Sequence, residues 1–131
     1  MNTKLSQILD EISAGELLDK IKIIKIKKEK IKDKEKLDDI NKELASLSLT
    51  SGEKIPDKSQ VKDLIIDLKK INLRLWDIEE GKRLAEKNKK FDDEFIKLSR
   101  DVYKSNDERA KIKLKINKIL GSNIKEVKSH Y

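Results

Sequence analysis

The chain has 131 residues, 36% hydrophobic, 44% charged and only 4% aromatic, which is the balance of extended helices and not of a thick globular core. One proline and four glycines supply too little turn chemistry for an all-β chain, and the absence of cysteine excludes a disulfide framework or a zinc–cysteine site. The net charge of +7 is unevenly spread: residues 1–58 and 59–107 each carry an excess of +1, and residues 108–131 carry +5. Twenty-eight of the 32 basic residues are lysine, so the four arginines, Arg74, Arg83, Arg100 and Arg109, are the scarce side chains.

Residues 1–12 form an N-terminal arm in which Leu5, Ile8, Leu9 and Ile12 fall at helical spacing. Ser13-Ala14-Gly15-Glu16 is an S-x-x-E capping box, in which the serine oxygen accepts from the Glu16 amide while the carboxylate reaches back. It opens helix 1, expected over 13–49, with apolar positions at Leu17, Ile21, Ile24 and Ile31 and then Leu37, Ile40, Leu44 and Leu47. The phase slips across the solvated Lys32-Asp33-Lys34-Glu35-Lys36 run, which requires a stutter or a bend.

Residues 50–57 hold Pro56 and Gly52 within a Ser/Thr cluster and read as the hairpin loop. Helix 2, expected over 58–104, has the strongest periodicity in the chain: Val61, Leu64, Leu68, Ile71, Leu75, Ile78 and Ala85. Lys82 interrupts that stripe beside Gly81, and a new phase at Phe91, Phe95, Leu98 and Val102 places a break near 87–90. Ser105-Asn106-Asp107-Glu108 offers a second S-x-x-E cap, so a third helix is expected over 107–120, closed by Gly121 and followed by a tail over 121–131. The fold expected is all-α within one domain: a long antiparallel, coiled-coil-like hairpin with a shorter third helix, completed as a dimeric bundle because a two-helix seam shields little surface.

Motifs for chemistry are sparse. His130 is the only histidine and sits in the tail, no Glu-x-x-His pair occurs, and no Gly-x-x-x-x-Gly-Lys run is present, so no metal, cofactor or catalytic residue is assigned. No apolar run approaches membrane length and no apolar signal core opens the chain, which makes the cytoplasm the expected compartment. Candidate binding residues come from one face of helix 2: Trp76, Glu80 and Arg83 lie at i, i+4 and i+7, and Arg100, Tyr103 and Asp107 continue further along. Asn106 and Arg109 lie on the same stretch. Arginine retained among so many lysines suits planar, bidentate contact with a carboxylate or phosphate. The competing reading makes Trp76 and Tyr103 seam-edge packing, and pairs Arg83 with Glu79, Glu80 or Glu86 on its own helix.

Two stretches, Ser13–Lys30 and Trp76–Ser129, resemble a family of short helical proteins, a domain of unknown function, found in aquatic proteobacteria and marine phages. The resemblance rests above all on WDIEEGKR, FDDEFIKLSRDVYKSNDERAKIK and GSNIKEVKS, and it implies a helical protein. It also implies an association with genes of surface-polysaccharide and glycosyltransferase function. One departure is visible at Ile78-Glu79-Glu80-Gly81-Lys82-Arg83, where lysine stands in place of the family's usual apolar residue.

Three functions fit these observations. The first is a non-catalytic helical interaction or oligomerisation module, self-associating or holding a protein partner. Another is a protein binding a small anionic metabolite or sugar nucleotide, an enzyme in one variant of that reading. The third is nucleic-acid binding through the basic segment from Arg109 to Lys128, which predicts steep salt dependence.

Overall fold

The computed structural model describes residue 5 and residues 7–122; the rest of the tail, with His130, lies outside the described residues. Four α-helices pack against one another: α1 (Ala14–Lys30), α2 (Lys34–Lys54), α3 (Lys62–Lys87) and α4 (Asp93–Leu120), with one 3₁₀ turn at Ser59–Val61. The all-α expectation holds. Several helix boundaries differ from the expected hairpin.

The expected helix 1 is two helices. Ile31 still donates its N–H to the Lys27 carbonyl at 2.9 Å but adopts extended dihedrals, and the Asp33 side chain accepts from the Glu35 amide at 3.1 Å, capping a new helix. A cap within the charged run thus turns the phase slip into a full reversal, and α2 returns along α1. It runs on through Ser51 to Lys54, shortening the expected 50–57 loop, and stops where Ile55, preceding Pro56, leaves helical dihedrals.

The break near 87–90 is present. α3 ends at Lys87, Lys89 takes a positive φ of 53°, and the Asp92 side chain caps α4 by accepting from the Phe95 amide at 3.2 Å. Phe91 and Phe95 close this turn edge to face, with ring centroids 5.2 Å apart.

The expected third helix is not separate, because α4 runs unbroken from Asp93 to Leu120. Ser105 is buried in its middle and caps nothing. Phe95, Leu98, Val102, Ser105, Ile112 and Ile116 share one face, so the small serine occupies a buried position in that seam. Gly121 does end the helix, in the left-handed conformation (φ 66°) with its N–H on the Asn117 carbonyl. Residues 7–12 form no helix, and Ile8 and Leu9 are exposed, so the arm's helical spacing is not realised.

Ser13 caps α1 as expected, its Oγ accepting from Glu16 N–H at 3.1 Å. α1 then lies in the slot between α3 and α4. Gly15 meets Asn117, Asp19 meets both Asn72 and Arg109, and Ile26 reaches the level of Trp76 and Val102, so α1 runs parallel to α3 and antiparallel to α4. Leu17, Leu18, Ile21, Ile55, Val61, Leu68 and Ile116 form the core, with Leu44, Leu47, Leu64 and Ile112 around it. α3 continues past Trp76 to Lys87, about 16 Å at 1.5 Å per residue, so the α3–α4 hairpin projects beyond the end of α1. No helix among the described residues is long and apolar enough to cross a membrane.

Candidate functional site

The slot holding α1 is tight at one end and open at the other. At the tight end, Gly15 approaches α4 so closely that a Cβ there would lie 2.6 Å from the Lys113 carbonyl oxygen. Glycine permits that approach, and the Gly15 N–H donates to Asn117 Oδ1 at 2.7 Å.

One turn along, Asp19 is fully buried and encircled by donors. Arg109 approaches it with Nε at 3.0 Å and Nη2 at 2.5 Å from Oδ2, Asn72 Nδ2 donates to Oδ1 at 2.8 Å, and Lys113 Nζ stands 4.0 Å away. Lys113, itself 6% exposed, gives its main ion pair to Glu16 at 2.6 Å. Burial pushes the Glu16 carboxyl up, but the hydrogen bond from Lys113 and the charges of Lys113, Lys20 and Arg109 outweigh it and hold the group below its ordinary value. Glu16 therefore faces α4 and Lys20, which is why its carboxylate does not complete the capping box. Among the described residues no buried side-chain nitrogen or oxygen lacks a partner.

Where α1 ends and α3 and α4 continue, the slot opens into a groove of about 560 Å³. Ile23, Ile26, Leu75 and Val102 give it an apolar floor, and Lys27, Glu79 and Arg83 stand at its walls. Trp76 lines it too, its indole held by donation from Nε1 to Glu80 Oε1 at 3.0 Å, across the i, i+4 spacing. Arg109 closes the inner end, linked through Nη1 to Asn106 Oδ1 at 3.3 Å. Glu79 takes Lys82 as its partner at 3.8 Å, which explains how a lysine is tolerated in the α3 stripe. Arg83 is exposed and has no ion pair among the described residues, so the expected pairing along its own helix is not made.

Five of the seven candidate residues, Trp76, Glu80, Arg83, Asn106 and Arg109, thus converge on one groove. Arg100 and Tyr103 do not: both are exposed on the side of α4 turned away from α3. The basic segment beginning at Arg109 is also less available than its charge suggests. Arg109 and Lys113 are turned inward and neutralised by Asp19 and Glu16.

The family assignment covers all of this architecture. The chain belongs to the family of unknown function DUF6165. The match runs over residues 8–131 and takes in both stretches that carry the resemblance. No curated protein and no solved structure matches the chain. Within this DUF6165 chain, sequence reasoning passed over Asp19, Asn72, Lys113 and the floor residues Ile23 and Ile26. Asp19 left one trace: an acid between Leu18 and Ile21, on the face that buries Gly15 and Leu18. Its partner lies 90 residues away, and no local spacing reports that.

Proposed function

We propose that this protein is a non-catalytic binding module whose groove between α1, α3 and α4 takes a small anionic molecule with a flat body, of the phosphorylated-metabolite or sugar-nucleotide class. The observation that carries this reading is that the exposed Arg83, without an ion pair among the described residues, and the Trp76 indole line one groove together with apolar Ile23, Ile26, Leu75 and Val102. Arginine offers a planar fork to a carboxylate or phosphate, and a fixed indole offers a stacking surface for a ring. Lys27, on α1, adds a second cation to the groove's lining. The volume falls within the range of small-molecule sites, about 300–1,000 Å³. Binding without chemistry is favoured because the two carboxylates lining the groove are engaged, Glu79 with Lys82 and Glu80 with Trp76.

A thermal-shift screen against nucleotide sugars, phosphorylated metabolites and carboxylates tests this. A ligand at a hundredfold excess over Kd stabilises the folded state by about 2.7 kcal/mol, which reads as several degrees. The hit is expected to vanish in Arg83→Gln and Trp76→Ala and to persist in Tyr103→Ala. A hit indifferent to Arg83 and Trp76, or none across the panel, refutes the groove as the site.

A second reading, a module that docks on another protein or on itself, is favoured by the outward face of α4. There Ile96 and Tyr103 stay about half exposed on a helix that packs through another face.

A further inference from the structure

One row of side chains on α4 belongs neither to the core nor to the groove. Ile96, Tyr103 and Ala110 recur every seven residues, and Arg100, Asp107 and Leu114 each follow four residues later, which is the 4-3-4-3-4 spacing of a coiled-coil seam. Ile96 is 49% exposed, Tyr103 55% and Leu114 37%, so the three large apolar members of the row are open to a partner, with Ala110 half-buried between them. Beside the seam, Lys97, Lys104, Lys111 and Lys118 recur at the same seven-residue interval. All four are exposed, and none has an ion pair among the described residues. From Ile96 to Lys118 the two rows run together for about 33 Å at 1.5 Å per residue. Helix packing on the opposite face accounts for neither.

We propose that this face of α4 docks one amphipathic helix of a partner protein, whose carboxylates recur at seven-residue spacing beside its own apolar seam. The inference rests on the interaction reading above and is independent of the ligand groove. A seam and a charged flank of equal period are what a neighbouring helix reads, the seam giving contact and the flank giving partner choice. Charge decides against a second copy: an antiparallel α4 would set the lysine flank against itself, and like charges across such a contact repel. A nucleic acid would engage the lysines but leaves Ile96, Tyr103 and Leu114 without a role, and Asp107 would stand among its phosphates.

The test uses the full chain and two synthetic helical peptides of three heptads, identical except that one carries glutamate and the other lysine along the flank. Anisotropy titration is expected to show the glutamate peptide binding and the lysine peptide not. Lys97→Glu/Lys104→Glu/Lys111→Glu should invert that order, with loss of the glutamate peptide by about tenfold as three exposed ion pairs disappear. Tyr103→Ala should weaken the same contact without touching charge. Circular dichroism should show unchanged helix in both variants, since every replaced side chain is exposed. Equal binding of the two peptides, or binding that survives the triple replacement, overturns the α4 flank and leaves the interaction reading standing. Binding of neither peptide overturns both. Preferential binding of a duplex oligonucleotide or of phosphatidylserine vesicles through the same lysines also overturns the proposal.

Discussion

Replacing Asp19 by asparagine keeps the size of the side chain and removes its charge. The carboxylate is fully buried and receives Arg109 Nε and Nη2 together with Asn72 Nδ2. Without it the Arg109 guanidinium, only partly exposed, loses this buried carboxylate, and Lys113 loses the more distant of its two carboxylate neighbours, Asp19, while Glu16 stays at 2.6 Å. Removing one member of a buried pair costs about 3–5 kcal/mol. Partial exposure of Arg109 puts Asp19→Asn at the lower end, about 3 kcal/mol, or about 10–15 °C in Tm for a chain of this length. Urea unfolding followed by circular dichroism measures this as a lower midpoint at unchanged slope. Replacing Asp19 and Arg109 together by apolar residues of similar volume should cost much less than the sum of the single losses, because no stranded charge remains. A loss under about 1 kcal/mol for Asp19→Asn, or strictly additive losses in the cycle, would refute the claim that this pair ties α1 to α4.

Gly15→Ala gains about 1 kcal/mol of helix propensity but drives a Cβ to within 2.6 Å of a backbone carbonyl, so a net loss of about 2 kcal/mol is expected by the same unfolding assay. Gly52→Ala, also helical but with nothing within 4 Å of the new Cβ, should instead raise stability by about 0.5–1 kcal/mol. Leu68→Ala, at a fully buried position, should cost about 2–5 kcal/mol. Glu16 has a folded-state pKa lowered from 4.5, so its contribution is present above that value and is lost as pH falls through the folded pKa. Unfolding curves between pH 6 and 3 should therefore show a smaller acid-induced loss in Glu16→Gln than in the parent, and equal losses would contradict the Lys113 pairing.

Much of the fold was legible locally. Ser13, Gly121 and the break after Lys87 declare themselves by residue type, because a cap hydroxyl, a left-handed glycine and a phase change act over one turn. The second S-x-x-E at Ser105 has the same letters as the first and makes no cap. What separates the two is their place in the fold: Ser105 is buried mid-helix as a small seam residue, and its own four-residue window carries no sign of that. Asp33 shows the reverse, since a cap hidden inside a charged run converts an expected bend into a reversal of direction. At the site, the scarcity of arginine drew attention to Arg83 and Arg109, and both side chains line the groove. The same scarcity could not show that Arg109 is spoken for by Asp19, nor that Arg100 looks out from the other side of α4. Those assignments depend on which helix fills the slot, and that is set by contacts 50 to 100 residues apart.

α2 joins the assembly through α1 and a few contacts with the core, and of its own residues only Ile40 and Ser51 are buried, against seven in α1. A helix so lightly held opens locally at a smaller free energy than the other three. Its amides should exchange with solvent well ahead of those in α1 and α4, so heat or dilute denaturant would peel it away first. The three-helix remainder would keep the groove and the lysine row intact.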